Sequence, residues 1–281
     1  MRPFLLLSFI IVSCILFSCK KGKLKANTAS YIVVNNTTVS SSTLSIIDSH
    51  KITDLWLYVN DQFQGVYPVG SVMPVMNAGN SQVRIYGGIT NNGISSTRLP
   101  YKFYNPYLFS GTFEANQTYT VVPNFYYTDG IHITNDSFTP GSGSYYLASG
   151  NVTTITDPAR TWGGTGGTAL MTMTDAVPTA QLKSSTPLAL PQGGVDVYLE
   201  MDYKCNQEIS VGVICGGGVE ERTAINLRAT TGGWNKVYIS LTSVISTQPT
   251  YNYYEVFIRG VKQSDLASPE IYLDNIRLVR P

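Results

Sequence analysis

Apolar and polar side chains alternate along most of this chain with a period of two, the signature of strands that bury one face and wet the other. From Asp54 to Asn60, Leu55, Leu57 and Val59 fall on one side of an extended chain, with Trp56 and Tyr58 on the other. Asn60-Asp61 then offers a two-residue turn into a second run, Phe63 to Val69, so the spacing predicts a β-hairpin. Val83 with Ile85 continues the theme, as does Tyr119 to Val122 after the turn at Glu114-Ala115-Asn116-Gln117.

The second half alternates more cleanly. Val195, Val197, Leu199, Met201 and Tyr203 share one parity, and Asp196, Tyr198, Glu200 and Asp202 the other, which is expected to be a solvated face. Ile209, Val211 and Val213 repeat the pattern, as do Ile225 with Leu227, Val237 with Ile239 and Leu241, and Val256 with Ile258. In the last run the apolar parity changes between Asp274 and Asn275, from Ile271 and Leu273 to Ile276 and Leu278, which predicts a one-residue bulge. Beyond the N-terminal segment no stretch holds a 3.6-residue apolar period, so the expected fold class is all-β. A segment rich in Gly, Ser, Thr, Asn and Asp, centred on Pro140-Gly141-Ser142-Gly143, divides the chain. Residues 31–130 fit an Ig-like or transthyretin-like β-sandwich, 131–150 a connecting segment, and 151–281 a second β-sandwich.

The first residues carry a different signal. Arg2 precedes an apolar run from Phe4 to Phe17, and Ser18-Cys19 closes it ahead of the basic cluster Lys20-Lys21-Gly22-Lys23-Leu24-Lys25. That is the layout of a signal peptide, and the run is shorter than the roughly 20 residues that cross a bilayer. Leu16-Phe17-Ser18-Cys19 resembles the bacterial lipobox, which implies a signal peptide over residues 1–19, a lipidated Cys19, a linker over 20–30 and a membrane partner reached through the lipid anchor. The expected location is the bacterial cell envelope, as an outer-membrane lipoprotein facing the periplasm or the surface. No acidic signal follows Cys19, which favours the periplasmic side.

A second resemblance rests on Asp196-Val197-Tyr198-Leu199-Glu200, on Trp234-Asn235-Lys236-Val237-Tyr238-Ile239-Ser240-Leu241 and on the terminal Ile271-Tyr272-Leu273-Asp274-Asn275-Ile276-Arg277-Leu278. Together these are similar to galactose-binding-like jelly rolls, including many carbohydrate-binding modules. The two-module layout resembles envelope lipoproteins of Bacteroidota. The resemblance implies a C-terminal jelly roll whose partner is a glycan or an envelope protein. It also places Asp274 at an acidic position that can serve a structural calcium ion, with a metal-free bulge role as the alternative; no other cofactor is expected.

Composition narrows the chemistry. Only 13% of the 281 residues are charged and the net charge is +1, against about 25% charged in ordinary domains; this near-neutral balance gives no electrostatic footprint for nucleic acid, whose phosphates demand clustered Lys and Arg. With only two histidines, His50 and His132, a His-based triad or a multi-histidine metal site is nearly excluded, and no Ser stands in a nucleophile elbow. Glu200, Asp202, Glu208, Glu220 and Glu221 leave a glycan hydrolase acting through Glu200 or Glu208 as the rival to a non-enzymatic binding protein. A structural subunit of an outer-membrane assembly is a third reading. Cys205 and Cys215 share the inward parity, and a hairpin near Asn206-Gln207 would set them on the order of 20 Å apart, which predicts two buried thiols. The expected ligand contacts are aromatic: Trp162 in its Gly-rich loop, with Trp56 and Tyr58 on the wet face of their strand, while Trp234 is expected in the core.

Overall fold

A computed structural model describes residues 28–40, 49–76, 79–142, 144–247 and 249–281. The signal-peptide stretch with Cys19 lies outside the described residues. Among the described residues no helix is long and apolar enough to cross a membrane.

The chain is all-β. Its first module holds β1 (Ser30–Val33), β2 (Thr38–Ser40), β3 (Asp54–Val59), β4 (Gln62–Pro68), β5 (Val72–Val75), β6 (Gly79–Thr90), β7 (Arg98–Pro100), β8 (Tyr107–Phe113), β9 (Thr118–Thr120) and β10 (Asn124–Tyr126). The predicted hairpin is β3 and β4: Val59 pairs with Gln62, and Asn60 and Asp61 adopt φ of 48° and 61°, the left-handed pair that a type I′ turn requires. Strands β4, β3 and β6 run side by side, with β7 and β8 on β6. The aliphatic face of this sheet, Leu55, Leu57, Val59, Val83 and Ile85, is fully buried against Ile32, Met73, Val75 and Phe125 from the smaller sheets opposite.

The second module holds β11 (His132–Asp136), β12 (Tyr146–Ser149), β13 (Asn151–Ile155), β14 (Thr168–Thr172), β15 (Thr179–Ser184), β16 (Tyr198–Cys205), β17 (Ile209–Cys215), β18 (Glu220–Leu227), β19 (Asn235–Ser240), the short helix α1 (Thr242–Ser246), β20 (Tyr254–Val261) and β21 (Glu270–Arg280). One sheet has the order β13-β14-β21-β16-β19 with β11 also on β21, and the other β12-β15-β20-β17-β18. Met171, Leu199, Met201, Val211, Val213, Val256, Ile258 and Leu273 fill the space between them. The segment expected to connect the modules thus supplies β11 and β12 to these two sheets.

The change of parity near Asp274 is a bulge. Glu200 pairs with Arg277 and Asp202 with Asp274, so β21 carries one residue more than β16, and Asn275 takes it up at φ 47°. The expected hairpin between the two cysteines does not form. β16 and β17 belong to opposite sheets, and residues 206–208 cross between the layers with Gln207 buried. Equal parity on both sides of the crossing looked like a hairpin because both strands face one shared core. Cys205 and Cys215 are nonetheless buried free thiols, and burial raises the pKa of each.

The expectation of a solvated face at Glu200 and Asp202 is overturned. Glu200 is fully buried and Asp202 nearly so, because the first module lies on this face of the sheet. Tyr198, Tyr238 and Val279 of the second module are members of the first module's core. Tyr101 sits edge-on to Tyr104 and Tyr198, at 4.7 and 5.3 Å between ring centres. At the free edge of β19, the Asn92 amide donates to the Tyr238 carbonyl at 2.8 Å, while the Ser240 amide donates to the Asn92 side chain at 2.8 Å. The first module therefore caps the sheet edge as well as its face.

Candidate functional site

The covered face of the second module holds a buried ionic centre. The Tyr101 hydroxyl donates to Glu200 Oε1 at 2.7 Å, and the Tyr127 hydroxyl reaches both carboxylate oxygens at 2.9 Å. Lys236 Nζ and Arg277 Nη1 stand 3.7 and 3.8 Å from Glu200 Oε2. The Ser49 hydroxyl donates to Asp202, and its carbonyl accepts from Arg277. A buried carboxylate is tolerated when it is paired and hydrogen-bonded, and here the donors come from both modules. Burial, with Glu200 close by, pushes Tyr101 and Tyr127 well above the usual phenol range. Burial, then Arg277, lowers Lys236 to about 8. Glu200 is fully buried and is an internal tie between the modules. Glu208 is exposed on the crossing, while Glu220 and Glu221 are engaged by Arg222 and Arg259.

Asp274, the expected calcium position, lies next along the same face. Its Oδ2 accepts from Thr168 at 2.7 Å and its Oδ1 from the Asn275 amide at 2.7 Å. Burial raises it to about 7, and the neighbouring carboxylates Asp202 and Asp136 push in the same direction. Among the described residues no group of three or more His, Cys, Asp or Glu is placed to hold a metal ion.

The first module leaves the far end of this face open, and a cleft of about 520 Å³ lies there. Strand alternation builds it. Glu270 and Tyr272 are two apart on β21, and Lys204 on β16 stands directly opposite Tyr272. The turn at Gly232-Gly233, where Gly232 has φ 82°, delivers Trp234 to the entrance of β19. Tyr272 forms the floor, at 6% exposure, with Trp234 half-buried beside it at 6.3 Å and 71°. From the loop before β14, Arg160 reaches across to donate to the Tyr272 hydroxyl at 2.8 Å and to Glu270 at 3.3 Å. The Tyr272 hydroxyl itself donates to Glu270 Oε2 at 2.7 Å.

A second depression of about 660 Å³ adjoins the first. Trp234, Gly233 and Thr230 line both, so the indole stands on the ridge between them. Its walls are Asn226, Arg228 and Asn235 of the second module and residues 92–95 of the first. The arrangement is a polar trough about one aromatic ring, with a volume in the range of small-molecule sites.

The sequence-predicted contacts fall in three places. Trp162 is half-buried in a 3-10 turn, Trp162–Gly164, where its amide donates to Thr168 Oγ1 at 3.2 Å. Its neighbours Ala159 and Thr161 line the cleft. Trp56 and Tyr58 lie on the outer face of the first module's large sheet, each against Phe63, at 5.9 and 5.3 Å, and Tyr58 also against Tyr86. A Cβ on Gly88 would meet the Trp56 indole nitrogen at 2.9 Å, so this glycine lets the ring lie on the neighbouring strand. Trp234, expected in the core, is instead half-buried and lines both depressions. Its pattern at a strand entrance carried that expectation, and the paired glycines before it were the overlooked signal for a surface turn.

The sequence matches no family model and no curated protein. Among solved structures, the chain is similar to a family 29 carbohydrate-binding module, at 10% identity and TM-score 0.36 over 53% of this chain and 88% of that one. A mutant family 29 module complexed with mannohexaose gives 11% identity and the same TM-score over 53% and 92%. A family 61 module, TmCBM61 in complex with β-1,4-galactotriose, gives 14% identity and TM-score 0.34 over 52% and 91%.

Proposed function

We propose that this protein is a non-catalytic glycan-binding protein of the bacterial cell envelope, anchored through a lipid on Cys19, whose ligand lies across Trp234. The observation that carries the reading is the half-buried indole on a ridge between two polar depressions, with walls drawn from both modules. Sugars present flat C–H faces that stack on aromatic rings, and hydroxyls that need neighbouring donors and acceptors. Asn206, Glu270 and Thr230 in one depression and Asn226, Asn235 and Ser95 in the other supply them. Because residues 92–95 wall the second depression, the fixed arrangement of the modules is part of the site.

Binding to immobilised envelope polysaccharides tests this directly. Trp234→Ala is expected to weaken retention more than tenfold, as truncation of a central aromatic contact does. Retention unchanged by that substitution would refute the site. The signal peptide is tested separately by metabolic lipid labelling, which Cys19→Ala is expected to abolish.

A specific observation favours a second reading, docking of an envelope protein on the first module. Phe63, Val66 and Leu108 are 53%, 40% and 53% exposed around Trp56, Tyr58 and Tyr86 on one sheet face. Apolar side chains grouped in this way mark interaction surfaces. Co-purification with a membrane complex that Phe63→Asp disrupts, while glycan retention persists, would support it.

A further inference from the structure

Charge in the cleft is unbalanced in a way that bears on the ligand. Lys204 Nζ rests 4.4 Å above the centre of Tyr272 and 5.7 Å from that of Trp234, so the ammonium is held on two ring faces. Among the described residues it has neither a carboxylate partner nor a hydrogen-bond acceptor. Glu270, the one carboxylate lining the cleft among the described residues, is engaged by Arg160 and by the Tyr272 hydroxyl, and Asn206 fixes its backbone amide at 2.8 Å. The adjoining depression contains Arg228 and, among the described residues, no acid. Lys204 in the one depression and Arg228 in the other therefore face a single carboxylate that Arg160 already engages, in a protein whose net charge is only +1. A half-buried cation without an acid is a ready donor for a charge-assisted hydrogen bond.

We propose that the cleft takes an anionic glycan, with a carboxylate or sulfate of one sugar against Lys204 while an adjacent ring stacks on Trp234. This inference rests on the glycan-binding reading of the same site and names its ligand class. Arg160 holds the Tyr272 floor in place, and Arg228 extends the positive lining into the second depression. Neutral glycans retain the stacking and lose the ionic contact.

The purified protein is titrated at low and at physiological salt against matched pairs: polygalacturonate and its carboxyl-reduced form, alginate and its carboxyl-reduced form, and chondroitin sulfate and its desulfated form. The expected result is at least tenfold tighter binding to one acidic member than to its neutral partner, with the pair identifying carboxylate or sulfate as the recognised group. Lys204→Gln is expected to bring that preference within about threefold, Lys204→Arg to keep most of it, and Trp234→Ala to weaken both members. Equal binding to acidic and neutral members overturns the acidic inference and leaves the glycan reading standing. Acidic binding that ignores both Lys204→Gln and Trp234→Ala is bulk charge attraction and also overturns it. Failure to retain any acidic, neutral or envelope polysaccharide overturns both.

Discussion

At the scale of single residues, Glu200 and Asp274 mark where polarity in a sequence is ambiguous. Asp196, Glu200 and Asp202 alternate with aliphatic neighbours just as a wet face does, and sequence parity records only that the face is not this sheet's own core. Here its partner is the first module, contributing tyrosine hydroxyls and a Ser49 oxygen. Asp274 carries a measurable consequence. Its folded-state pKa is raised from 3.8 to about 7, so the folded chain holds a proton that the unfolded chain releases. Its contribution is fully present below about pH 4 and is lost as pH rises through 7. A tenfold difference in proton affinity between the folded and unfolded chain corresponds to about 1.4 kcal/mol, so the change across the window is of the order of a few kcal/mol. Asp274→Asn is expected to flatten the fall in stability between pH 4 and 7, measured by urea unfolding. An unchanged slope would mean that this carboxyl is not the group that titrates. Lys236 acts at higher pH: its folded-state value is depressed to about 8, so its stabilising contribution is present above about pH 10.5 and lost as pH falls through 8.

Among elements, the strands were the most legible feature, since period two needs only residue type. The Asn60-Asp61 hairpin and the bulge at Asn275 were both written in local spacing. The link between β16 and β17 was not, because a hairpin and a crossing between packed sheets present the same parity to one core. The bulge makes a sharp prediction. Deleting Asn275 would turn Ile276 and Leu278 from the core to the opposite face, and is expected to abolish cooperative folding by circular dichroism. Asn275→Gly accepts the positive φ and loses chiefly the side-chain bond to Asp202, so it is expected to cost about 1 kcal/mol. A folded deletion variant would contradict this register.

For the whole molecule, the decisive feature is that the modules share a core and an ionic centre. Sequence composition divided the chain where Gly and Ser gather, yet gave no sign that Tyr198, Tyr238 and Val279 pack into the other half. Such contacts join residues far apart in the chain and leave no local period. Calorimetry is expected to give one cooperative transition for the two modules together. Tyr127→Phe, which takes a donor from buried Glu200, is expected to lower that single transition by about 1–3 kcal/mol of stability. Two separate transitions would mean that the interface does not couple them.

The same arrangement places residues 92–95 of one module and Trp234 of the other around a common trough, so the central claim concerns one indole. The chain has three tryptophans, Trp56, Trp162 and Trp234, and three variants that each retain a single one distinguish the candidate surfaces. Each is titrated with the polysaccharide best retained by the parent protein while tryptophan emission is followed. A saturable change from the Trp234-only variant at the parent's affinity, with silence from the other two, is the predicted result. A response from Trp162 or Trp56 with Trp234 silent would move the binding site off the cleft.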